Sequence, residues 1–228
     1  TEITNKISYI RPDGKIIKGI YSIGLPAIIS QALISIMTYG MNMILKKIGE
    51  NAVTAYGLYY KVQQFVLFAA FGLRDAITPV VSYGQGMRNR KRVTDGIKYG
   101  MIYTFIIMLA GTAIIEVVAA PLAGMFGLSG QTEYMCISAM RLISLSFVFA
   151  GGNVAFQGVF QALDAGVESL VISICRQILF VLPPAWGFAG IAAGNNDKIW
   201  VVWCTFIIAE VMSFIIAALF MRKIYKRK

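Results

Sequence analysis

The chain has 228 residues, 57% of them hydrophobic and only 14% charged, with 21 Lys and Arg against 11 Asp and Glu. Soluble domains run at about 45–50% apolar and about 25% charged, and disordered chains are poor in apolar residues, so both classes are excluded. The absence of histidine removes His-based zinc sites, Ser–His or Cys–His catalysis and imidazole proton switches.

What remains is an all-α integral membrane protein. A helix needs about 20 apolar residues to cross a bilayer, and six such runs follow one another, at about 19–45, 52–83, 99–118, 137–163, 170–188 and 199–221. Breakers separate them: Gly49-Glu50-Asn51, Gly84-Gln85-Gly86, Gly127 to Gly130, Asp164-Ala165-Gly166 and Gly194 to Asp197. The expected organisation is a juxtamembrane linker over 1–18, one transmembrane bundle over 19–221 and a basic tail over 222–228. Cys136, Cys175 and Cys204 sit in apolar stretches and read as small buried residues.

Basic residues set the orientation. Lys6, Arg11, Lys15 and Lys18 precede the first span. Arg88, Arg90, Lys91, Arg92 and Lys98 lie between the second and third, and Arg222, Lys223, Lys226, Arg227 and Lys228 follow the sixth. The opposite loops hold only Lys46, Lys47 and Lys198. The positive-inside rule places both termini in the cytoplasm. The basic clusters mark topology and contact with anionic lipid, and no nucleic acid is expected as a partner.

Seven charges fall at or within the spans: Lys61, Arg74, Arg141 and Arg176, with Asp75, Glu116 and Glu210. A charge at bilayer depth costs about 2.5–3.5 kcal/mol, so such groups pair or face a wet cavity. Asp75 and Arg74 are sequence neighbours and point about 100° apart on a helix, so adjacency alone does not pair them; Arg141 or Arg176 is an alternative partner for Asp75. Glu210 reads either as the partner of Arg176 or as a proton-relay carboxylate. Lys61, Gln64 and Asp75 share a face of the second span, and Pro79 frees a backbone carbonyl beside them.

Two uncharged stripes complete the picture. Gln31, Ser35, Thr38 and Asn42 share one face of the first span, and Asn153, Gln157 and Gln161 one face of the fourth. A polar face in lipid must meet another helix or water, so each stripe either bonds between helices or lines a cavity. No Walker A, HExxH or GxSxG motif is present. No enzyme activity and no cofactor are expected.

Several segments, in order, resemble the carboxy-terminal half of the multidrug and toxic compound extrusion (MATE) transporters. They are Ile23-Gly24-Leu25-Pro26, then Tyr59 to Phe65 (Tyr-Tyr-Lys-Val-Gln-Gln-Phe), then Gly72 to Pro79 (Gly-Leu-Arg-Asp-Ala-Ile-Thr-Pro) with Gly84-Gln85-Gly86. Arg141 to Phe147, Phe160 to Leu163, Arg176 to Leu179, Leu182-Pro183 and Ile208-Ala209-Glu210 follow. The resemblance implies two six-helix bundles facing a central cleft, of which this chain supplies the second. It implies alternating access in the plasma (inner) membrane, with export of amphipathic, cationic small molecules driven by entry of Na⁺ or H⁺.

The implied partners are membrane lipids and an amino-terminal six-helix half, supplied in cis or by a dimer. Cleft-lining residues would be Gln31, Thr38, Asn42, Gln64, Asn153, Gln157 and Gln161. Asp75, Glu210, Arg74, Lys61 and Arg176 would form the ion-coupling or charge network. Members that couple ions through this half carry an acid in its first span, where this chain has Gln31 and no acid between Lys18 and Lys46. Arg74-Asp75 stands where relatives often have amides. Two other readings remain: a lipid or lipid-linked sugar flippase of the same superfamily, and a non-transporting scaffold or inactive fragment.

Overall fold

The computed structural model describes residues 13–227, with side chains through Tyr225. Residues 1–12 of the expected linker and Lys228 of the tail lie outside the described residues. The helices are α1 (Gly14–Lys46), α2 (Glu50–Gly86), α3 (Arg90–Met125), α4 (Gly130–Ser144), α5 (Phe147–Ala162), α6 (Gly166–Ile174), α7 (Leu182–Ala192) and α8 (Trp200–Arg227). A π-helical turn, Cys175–Leu179, joins α6 towards α7, and a 3-10 turn, Asn196–Lys198, leads into α8. No strand occurs among the described residues.

Five stretches are long and apolar enough to cross a bilayer alone: Gly14–Lys46, Glu50–Gly86, Arg90–Met125, Gly166–Ala192 and Asn196–Tyr225. The fourth run is the pair α4 and α5, which meets the same measure only when taken together and is bent by 54° at its break. The sequence reading has 137–163 as one run. The bend has a local cause. Ser146 Oγ donates to the Ile143 carbonyl at 2.7 Å and Ser144 Oγ to the Arg141 carbonyl at 2.8 Å. Such hydroxyls compete with the backbone ladder and bend helices. Helix α3 compensates: Thr112 Oγ1 donates to the Ser144 carbonyl at 3.0 Å, and Glu116 Oε1 accepts from Ser144 Oγ at 3.0 Å.

The fifth span is interrupted for another reason. Pro183 and Pro184 have no N–H to give to the carbonyls of Leu179 and Phe180. The chain widens first, with Phe180 N bonded five residues back to the Cys175 carbonyl at 2.9 Å. That turn carries Arg176 and Gln177 into the interior, both buried.

Several bounds differ from the sequence reading; residues 222–227, expected as tail, are helical and continuous with α8. Residues 14–18, expected as linker, are helical and continuous with α1, whose start is capped by Asp13 Oδ1 accepting from Lys15 N at 2.7 Å. The third span, expected at 99–118, is the middle of a 36-residue helix capped by Asn89, which accepts from Arg92 N at 3.0 Å.

Helix α5 is the centre of the bundle: every residue from 150 to 160 is buried. Glycines let its neighbours approach. A Cβ on Gly158 would stand 2.5 Å from Arg74 Cγ of α2 and 2.8 Å from Thr78 Oγ1. An aromatic group anchors one end, with the Tyr56 ring stacked on Trp203 at 6.3 Å and on Phe206 at 6.0 Å. At the other end Ile77, Val81, Phe160 and Ile172 form a second core. The outer faces expose large apolar side chains, among them Ile20, Phe65, Leu109, Val117 and Trp186. This is the inverse of a soluble surface and suits contact with acyl chains.

Candidate functional site

A polar cavity of about 370 Å³ opens between α1, α2, α5 and the π turn. Helix α1 gives Ala27, Ser30, Gln31 and Ile34; α2 gives Phe71, Arg74, Asp75, Thr78 and Pro79. Gln157 and Gln161 come from α5, and Arg176 and Gln177 from the π turn. A smaller cavity of about 40 Å³ adjoins it, sharing Ile34, Phe71, Arg176 and Gln177, and adds Gln63, Gln64 and Glu210.

At the inner wall sits a buried charge cluster. Arg176 Nε donates to both oxygens of Glu210, at 2.6 and 2.8 Å, and the two residues are only 7% and 8% exposed. Asn153 Nδ2 adds a bond to Glu210 Oε2 at 2.8 Å and one to the Glu210 carbonyl at 2.9 Å. Pairing and hydrogen bonding are what let charges persist in an apolar interior. Asn153 is fully buried against Glu210, its own Oδ1 has no partner, and it lines neither cavity.

At the outer wall the neighbours Arg74 and Asp75 do pair. Arg74 Nε donates to Asp75 Oδ1 at 2.9 Å, and Nη2 stands 2.9 Å from the same oxygen. A long arginine folds back across the angle that separates adjacent Cβ atoms. Neither Arg141 nor Arg176 is the partner of Asp75. The guanidinium also lies over the Phe71 ring, 5.3 Å from its centroid. The Asp75 side chain is 67% exposed, so this carboxylate is the accessible acid of the cavity.

Of the α5 amide stripe, Gln157 and Gln161 bond between helices and line the cavity at once. Gln157 Nε2 donates to Ser173 Oγ at 3.2 Å and Gln161 Nε2 to Ser169 Oγ at 3.4 Å. Of the α1 stripe, Gln31 lines the larger cavity. Thr38 instead donates to the Ile34 carbonyl of its own helix at 2.9 Å, and Asn42 is half-buried; neither lines these cavities. Lys61 is exposed and makes no ion pair among the described residues. The sequence reading left out Gln177, Thr78, Ser30 and Phe71. Gln177 was signalled by its place beside Arg176, ahead of two prolines. Among the described residues no three acids or cysteines converge as a metal site.

The two ends of the bundle differ in charge. The hydroxyls of Thr94 on α3 and Tyr225 on α8 are hydrogen-bonded, which brings the basic α2–α3 turn beside the basic end of α8. At the opposite end Tyr134 Oη donates to the Asp197 carbonyl at 3.4 Å, and Lys47 lies over the Trp186 ring at 5.5 Å.

Comparison with known proteins places this geometry. The chain is similar to the multidrug export protein MepA of Staphylococcus saprophyticus, 25% identical over 194 residues, covering 83% of this chain and 43% of that protein. MepA of Staphylococcus haemolyticus is 22% identical over 214 residues, covering 92% of this chain and 45% of that protein. The chain thus spans less than half the length of these curated relatives.

Among solved structures, a multidrug resistance MATE family transporter of the MOP superfamily in its outward-facing conformation has a TM-score of 0.87 at 23% identity. The match covers 99% of this chain and 51% of that one, and it shows the fold. A MOP superfamily transporter from Pyrococcus furiosus, described as having a binding pocket of reverse polarity, matches with a TM-score of 0.85 at 25% identity over 96% of this chain and 49% of that one. The fold is therefore one bundle of an architecture about twice this size. The MatE family model matches residues 26–186. The chain belongs to the MatE family.

Proposed function

We propose that this chain is the carboxy-terminal half of an alternating-access exporter of amphipathic small molecules, coupled to entry of H⁺ or Na⁺. The observation that carries it is the cavity of about 370 Å³ walled by Gln31, Arg74, Asp75, Gln157, Gln161 and Arg176 in a bundle whose outside is apolar. Polar groups at membrane depth are expensive and mark pathways. The cavity opens beside α1, whose side chains are largely exposed, and a second six-helix half in cis or a dimer partner would close it. The staphylococcal relatives are multidrug export proteins, which supports this reading.

Within this half, Asp75 is the carboxylate open to the cavity and Glu210 is tied to Arg176. Asp75 is therefore the candidate for ion-linked protonation here. In this reading the protein lies in the plasma membrane, and the positive-inside rule supports a cytoplasmic position for the end that holds Arg88, Arg90, Lys91 and Arg92. A non-transporting scaffold would have no use for a cavity of this polarity. The test is gradient-driven dye movement in proteoliposomes that hold the whole protein. Movement that follows an imposed H⁺ or Na⁺ gradient supports the proposal, and no movement for any of a panel of amphipathic dyes contradicts it.

A further inference from the structure

We infer that the cavity, taken as the cleft proposed above, holds an oxyanion (carboxylate, sulfonate or phosphate) at one end of an amphipathic cargo, and that Arg176 and Arg74 bind it. The resemblance to the family implies cationic cargo; the walls of this cavity carry two guanidinium groups and a single carboxylate, that of Asp75.

Arg176 divides its work between two sides. All of its protein hydrogen bonds leave from Nε and go to Glu210. Its side chain also forms wall in both cavities, and neither Nη group has a hydrogen-bond partner among the described residues. A guanidinium carries five N–H donors in a planar fork suited to carboxylate or phosphate. Here the fork is fixed at its Nε edge by a buried acid, and no protein hydrogen bond takes up its Nη groups among the described residues. Arginine held in place by a countercharge loses little freedom on binding a ligand.

Arg74 supplies the second donor set. It meets Asp75 through a single carboxylate oxygen, Oδ1, and lies over Phe71. Gln157 and Gln161 each give one amide N–H, to Ser173 and Ser169 respectively. Their carbonyl oxygens can then accept from N–H or O–H groups on the body of the cargo. Phe71 and Ile34 offer apolar contact in the same space. The site fits an acidic head on a body with an apolar part, supplied either by a soluble acid or by a lipid phosphate.

The test is equilibrium binding of tritiated taurocholate, a sulfonate amphiphile, to the whole protein in nanodiscs, with ethidium measured in parallel. Two variants are used, Arg74→Gln and the double change Arg176→Gln with Glu210→Gln, which leaves no lone charge inside. Each is expected to weaken taurocholate binding at least tenfold, and to weaken it more than it weakens ethidium binding. Decyl sulfonate should displace taurocholate and decanol should not. Displacement by lysophosphatidate alone assigns the oxyanion to a lipid; displacement by decyl sulfonate as well assigns it to a soluble acid. No saturable taurocholate binding, or affinity within twofold of the parent in both variants, overturns the inference. Export is read separately: ethidium transport without taurocholate binding removes the anion site and keeps the exporter, and taurocholate binding without any transport does the reverse.

Discussion

Arg176 on the π turn and Glu210 on α8 form a pair with Nε 2.6 and 2.8 Å from the two carboxylate oxygens, and the same arginine is wall to the polar cavity. One side chain thus joins the core of the bundle to its cleft. Neutralising only one partner leaves the other charged in the interior, at a cost of about 3–5 kcal/mol. Glu210→Gln and Arg176→Gln should each lower the thermal unfolding midpoint of the purified protein, and the double variant should recover most of the loss. Independent, additive losses would show that the two residues do not stabilise each other.

Gly158 admits Arg74. With Arg74 Cγ at 2.5 Å and Thr78 Oγ1 at 2.8 Å from where a Cβ would stand, Gly158→Val should overpack the α2–α5 contact by about 1–3 kcal/mol and reduce transport. Gly72 on α2 meets nothing within 4 Å, so Gly72→Ala should leave stability unchanged or raise it by up to about 1 kcal/mol. Unfolding midpoints of the two variants make the comparison.

Asp75 is the open carboxylate of the cavity. Asp75→Asn keeps the size and the acceptor oxygen that Arg74 uses but loses the charge and the site for a proton. Efflux should change at equal membrane abundance, with its dependence on external pH flattened. Efflux equal to the parent at every pH would remove Asp75 from ion coupling.

Topology is open to labelling. Lys91 at the start of α3 and Asn196 in the 3-10 turn lie at opposite ends and are exposed. In whole cells a membrane-impermeant maleimide should label Asn196→Cys and spare Lys91→Cys. The opposite pattern would invert the orientation.

The sequence made the spans legible because a bilayer demands long apolar helices, and six runs met that demand. The charge of Arg74, Asp75, Arg176 and Glu210 stood out for the same reason. Two interruptions were harder. Pro183-Pro184 marks the π turn in hindsight, whereas the α4–α5 bend rests on Ser144 and Ser146 finding carbonyls and on Thr112 repairing the ladder from another helix. Periodicity put Asn153, Gln157 and Gln161 on one face, but it does not say what that face meets. Glu210 takes Asn153, while the other two reach serines and still line the cleft. Likewise Thr38 shares a face with Gln31 but spends its hydroxyl on its own helix.

The central claim is that the space between α1, α2 and α5 is a water-filled cleft that cargo occupies. Gln161 lines it. The most direct measurement is the reaction rate of Gln161→Cys with a water-soluble methanethiosulfonate, in the whole protein with Cys136, Cys175 and Cys204 replaced by alanine. The account predicts ready labelling that a transported amphiphile slows at concentrations that saturate its transport. A thiol that does not react, or one whose rate is indifferent to cargo, would contradict it.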